Sequence, residues 1–134
     1  MALPSRTPRW LGRAAFYAPY MALCTDEAGY RRMLKKLGMT PDSEPWCKPG
    51  RANVRTLEAQ RSKDIVLLVC IDPADYDPIV IVSMLVHEAT HMKQRTMEFI
   101  GEKHPSDEFE AYVMQNLIDT LLVEFKRQMY GEKP

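Results

Sequence analysis

Apolar positions along the chain change period several times, and each change predicts an element. Residues 16–23 (FYAPYMAL) are aromatic and apolar and predict a short strand, with Pro19 confining it to an edge or a bulge. Thr25 or Asp26 then caps a helix to about Leu37, whose stripe is Tyr30, Met33, Leu34 and Leu37. Gly38 suits the left-handed position that follows such a helix. Residues 39–51 (MTPDSEPWCKPGR) hold three prolines and a glycine and predict a surface loop. Ala52 to Glu58 predicts a strand, and Ile65 to Ile71 (IVLLVCI) is a continuous apolar run, as expected of a strand buried on both faces. The intervening AQRSKD is short enough to close a hairpin. Pro78 suits the first turn of a helix from about Ile79 to Met97 or slightly beyond. Gly101 and Pro105 break it, and Ser106 or Asp107 starts a last helix running to about Tyr130. The order β-α-β-β-α-α predicts an α+β domain, a short β-sheet packed on its two longest, C-terminal helices.

Size and composition narrow this picture. A chain of 134 residues has room for one core. Residues 1–14, rich in Pro and Arg, are expected to form a loose arm, with 15–134 as a single domain. Eighteen basic residues balance eighteen acidic ones, which argues against a nucleic-acid footprint spread over the surface; the arm's Arg6, Arg9 and Arg13 are too few to change that. No apolar run approaches the roughly 20 residues that span a bilayer, and arginines and prolines interrupt any secretory leader at the start, so a cytoplasmic protein without membrane contact is expected. Cys24, Cys47 and Cys70 lie far apart with no C-x-x-C pair, consistent with free thiols, Cys70 being buried in a strand. Trp10 and Trp46 fall in loop-like sequence, where each can cover an apolar patch or line a groove.

The chemistry concentrates at Val86-His87-Glu88-Ala89-Thr90-His91, an H-E-x-x-H pattern on a predicted helix. Two imidazoles one turn apart project from one face and can share a divalent ion. Glu88, one position round, points beside that ion and can take a proton from a water held there. Zinc lowers the pKa of such a water toward about 7. Two of the chain's three histidines lie in this pattern, which a merely solvated helix face does not need.

HEATH (87–91) resembles the metal-binding helix of the zincin metallopeptidases. A metzincin would continue with Gly at 94 and His at 97, where this chain has Gln94 and Met97. The gluzincin branch instead takes a Glu from the next helix, and Glu108-Phe109-Glu110-Ala111 is similar to its Glu-x-x-Ala pattern. The resemblance covers 84–118, about the last third of the chain, and is to small zincin-like proteins of bacterial or phage type. It implies a small zincin-like fold, one Zn2+ per chain, and a peptide or protein substrate captured along one of the strands at 52–58 or 65–71. Two carboxylates compete as third ligand. Glu108 is preferred: it matches the pattern and shares a small, polar face with Ala111, Tyr112 and Gln115. Glu110 is the alternative, because its spacing from His91 resembles aminopeptidase-type gluzincins and it sits on an apolar stripe, where an unpaired carboxylate is costly. His104 is a third option. Tyr112 is a candidate donor to an oxyanion or orienter of a histidine, Asp119 and Gln115 are candidate partners for a ligating imidazole, and Arg95 is a candidate cleft residue. The expected function is zinc-dependent peptide hydrolysis with Glu88 as base. The alternative is a zinc-binding or interaction domain that keeps the site without turnover.

Overall fold

The computed structural model describes residues 4–15, 17–40, 46–74 and 77–131. It is an α+β fold: β1 (Tyr20–Cys24), α1 (Glu27–Lys36), β2 (Ala52–Glu58), β3 (Ile65–Ile71), α2 (Pro78–Ile100) and α3 (Asp107–Tyr130). The first strand starts four residues later than its apolar run. Pro19, lacking an N–H, precedes the first ladder residue, and pairing extends instead to Cys24. Phe16 and residues 41–45 of the expected loop lie outside the described residues.

Local signals set the helix ends. The Asp26 side chain accepts from Gly29 N–H at 2.8 Å to start α1, and Gly38, at φ 74°, follows its C-cap. Asp77 caps α2 through Val80 N–H at 3.0 Å, with Pro78 in the first turn, and Gly101 ends it at φ 80°. Ser106, rather than Asp107, caps α3.

β3 is the middle strand of the order β1-β3-β2, parallel to β1 and antiparallel to β2. Its two faces feed two cores, which is why its apolar residues do not alternate with polar ones. Leu67, Val69 and Ile71 meet Leu85, Ala89 and Met92 of α2 and Leu117 and Leu121 of α3. Val66, Leu68 and Cys70 meet Met33 and Leu34 of α1, together with Trp46. All three cysteines fall in this second core as free thiols, Cys24 opposite Cys70 in the parallel register. Cys47 donates to the Arg51 carbonyl at 2.9 Å, and burial pushes its thiol up to about 11.

Residues of the N-terminal lead-in are tied to this body. Leu11 N–H bonds Met21 carbonyl at 2.9 Å beside β1, Arg6 donates to Thr25 Oγ1 at 3.1 Å, and Arg9 meets Glu124 at 3.0 Å. Glu124, Gln128 and Thr25 are buried and satisfy one another: Thr25 donates to Gln128 Oε1 at 2.8 Å, and Gln128 Nε2 donates to Glu124 at 2.9 Å. Among the described residues no helix is long and apolar enough to cross a membrane.

Candidate metal centre

α2 carries the motif along the flank of the sheet. Its buried positions, Ile81, Leu85, Ala89 and Met92, are spaced to face the core. The same spacing rotates His87 and His91 outward, toward the side where Arg95 Nη1 donates to Thr56 Oγ1 on β2. Among the described residues β2 pairs with β3 on one side only, so the motif lies next to the edge strand of the sheet.

The two imidazoles converge. His87 Nε2 and His91 Nε2 are 3.2 Å apart, with ring centroids 4.8 Å apart and planes at 79°. Two nitrogens each about 2.0–2.1 Å from one tetrahedral zinc would sit about 3.3–3.4 Å apart. The pair therefore fits an edge of such a site. His91 Nδ1 is 3.1 Å from Gln94 Oε1. With that oxygen as acceptor the proton sits on Nδ1, and Nε2 keeps the lone pair a metal needs. Gln94 is the imidazole partner that sequence reasoning missed. Its signal was available: three positions beyond His91 on a helix is the neighbouring site.

Glu88 is 6% exposed and makes no hydrogen bond to the described residues. Burial raises its pKa, and the positive potential of His87, His91 and Arg95 works against that rise. A carboxylate with uncommitted lone pairs and a weakened preference for its charged form is suited to accept and release a proton.

The third-ligand candidates stand apart from the imidazoles. Glu108, Tyr112, Gln115 and Asp119 form an exposed stripe on α3, with Tyr112 65% exposed. Glu110 lies on the α2-facing side of the same helix, where it forms an ion pair with Lys93. His104 is exposed in the connection between the two helices. Among the described residues, no group of three or more His, Cys, Asp and Glu side chains is gathered around one point. The structure thus brings His87, Glu88 and His91 together on one helix turn, while Glu108 and Glu110 remain on α3. Of the two, Glu110 is on the face that meets the motif helix.

Two clefts adjoin the motif. One, of about 400 Å3, is lined by Thr56, Ile65, Leu67, Arg95 and Phe99, one turn beyond His91 on α2, and includes none of His87, Glu88 and His91. The other, of about 480 Å3, includes Lys93, Gln94, Met97 and Glu110 at the turn between the helices. Comparison with family models, with curated proteins and with solved structures finds no match.

Proposed function

We propose that the protein is a zinc-dependent peptidase, a small zincin-like hydrolase in which His87 and His91 hold the metal and Glu88 is the general base. The observation that carries this reading is the 3.2 Å approach of the two Nε2 atoms beside a buried, uncommitted carboxylate. Bound zinc supplies Lewis acidity, polarising an amide carbonyl and lowering the pKa of water toward about 7. Glu88 takes one proton from the attacking water as its oxygen bonds to the carbonyl carbon. It then gives that proton to the leaving nitrogen as the C–N bond breaks, releasing a carboxylic acid and an amine. Gln94 holds the His91 ring in its ligating tautomer.

The substrate side follows from the edge strand. β2 is the edge strand among the described residues, with no strand paired on the side away from β3, and adding an extended peptide to such an edge is a general means of capture. β3 is paired on both sides, so of the two strands expected to serve, 52–58 is the one with an edge to offer. A side chain of a peptide lying there can enter the apolar cleft between Ile65, Leu67 and Phe99.

A second reading has its own support. Glu110 is engaged by Lys93 and Glu108 faces outward, an arrangement that suits a domain binding metal or a partner without turnover. Incubating the zinc-loaded protein with a mixed peptide library and sequencing new termini by mass spectrometry separates the two. The peptidase reading predicts cleavage that falls about 10²–10⁴-fold in Glu88→Gln. Equal cleavage by wild type and Glu88→Gln would overturn Glu88 as base, and no cleavage with full zinc loading would favour the second reading.

A further inference from the structure

A second site lies where β3 begins, on the face of the sheet that carries Val66 rather than Leu67. A cleft of about 380 Å3 opens between the lead-in, Tyr20, the end of α1 and the β2–β3 turn. Its apolar lining is Leu11, Leu37 and Val66. Its wall is Trp10, still 43% exposed, standing edge-on to Tyr20 with ring centroids 6.3 Å apart. The Arg13 guanidinium stacks 3.8 Å over the Tyr20 ring. A neighbouring cleft of about 490 Å3 shares Lys36, Leu37 and Ser62 with the first and adds Lys35 and Arg61.

The charge balance of this double cleft is lopsided. Arg13, Lys35, Lys36 and Arg61 line it against one acid, Asp64. None of the four cations pairs with a carboxylate among the described residues. The whole chain is neutral, so this positive potential is local. Cations lining one cleft repel one another and are relieved by a bound anion. A half-exposed indole beside an apolar floor offers a stacking wall for a flat ring.

We propose that the double cleft binds a free nucleoside polyphosphate, with its base against Trp10 and its phosphates among Lys35, Lys36 and Arg61. Each cleft lies within the roughly 300–1,000 Å3 typical of small-ligand sites. A nucleic-acid strand would need a longer basic track. The other arginines of the lead-in do not extend one, because Arg6 is held by Asp26 and Arg9 by Glu124. An acidic peptide would use the cations but has no need of the indole wall.

Calorimetric titration of the full chain in chelator-containing buffer tests the assignment, with ATP, adenosine, tripolyphosphate and a single-stranded oligonucleotide as probes. ATP is expected to bind at least about tenfold more tightly than adenosine or tripolyphosphate, a difference of about 1.4 kcal/mol. Its binding should quench the fluorescence of Trp10, since Trp46 is 8% exposed. Trp10→Ala and Lys36→Glu should each weaken ATP at least about tenfold, while His87→Ala leaves it unchanged. The charge variant alters an exposed side chain, so it decides the matter if Trp10→Ala fails to fold. Absence of ATP binding at about 1 mM would overturn the proposal. So would tripolyphosphate binding as tightly as ATP, tighter binding of the oligonucleotide, or ATP binding that depends on His87.

Discussion

Glu88 and Glu124 are both buried carboxylates, and their surroundings give them opposite properties. Among the described residues Glu88 has no hydrogen-bond donor, and burial raises its pKa, as the proposed role in proton transfer requires. At Glu124 burial pushes the same way, but hydrogen bonds from Arg127 (2.7 Å) and Gln128 (2.9 Å), with the charge of Arg9 added, hold its pKa below the usual carboxylate range. A carboxyl whose folded pKa is depressed contributes stability above its unfolded pKa, and that contribution is lost as pH falls through the folded value. Denaturant unfolding of wild type and Glu124→Gln should therefore differ most at neutral pH and converge below about pH 4. At neutral pH the variant should be less stable by about 3 kcal/mol, because the buried charge that Arg127 and Arg9 both meet is removed. A stability difference that does not change with pH would contradict this role. The motif His87-Glu88-His91 was legible because one helix turn fixes its geometry locally. The Glu124 network was not, since Glu124 and Gln128 lie one turn apart on α3 but Arg9 and Thr25 reach them only through tertiary packing.

Among the elements, the α2–α3 turn and its register decide which side chains a metal bound at the motif would recruit. Gly101 closes α2 at φ 80°, and a Cβ there would meet no atom within 4 Å. Gly101→Ala should thus cost about 1 kcal/mol in chemical denaturation, from backbone strain alone; no loss would contradict a left-handed cap. Across the turn, Lys93 pairs with Glu110. If Glu110 completes the metal site, Lys93 competes with zinc for the carboxylate. Lys93→Met is then predicted to raise zinc affinity severalfold in competition with a chelating dye, Glu110→Gln to lower it about 10–100-fold, and Glu108→Gln to leave it unchanged. A loss confined to Glu108→Gln would reverse the assignment. The apolar periods of β2, β3 and all three helices gave these elements nearly residue by residue. The pairing between α2 and α3 was hidden, because long side chains such as Lys93 choose partners only after the helices have packed. β1 was misplaced at its start for a simpler reason: apolar character ran through Pro19, but hydrogen bonding did not.

Over the whole molecule, one three-stranded sheet separates the two proposed sites. α2 and α3 cover one face and set the imidazole pair beside the edge strand β2. α1 covers the other face, and its C-terminal end forms part of the cationic cleft around Trp10. That cleft draws on the lead-in, on α1 and on the β2–β3 turn, segments distant in sequence, which is why only Trp10 and Arg13 stood out before the fold brought Lys36 and Val66 beside them. The proposed chemistry needs His87 and His91 to hold one divalent ion with Glu88 beside it. Zinc content after reconstitution and dialysis, measured by elemental analysis on wild type, Glu88→Gln and the His87→Ala/His91→Ala double variant, tests this most directly. The prediction is about one zinc per chain in wild type and Glu88→Gln, and none above background in the double variant. Wild type that retains less than about half an equivalent, or a double variant that retains as much as wild type, would contradict it.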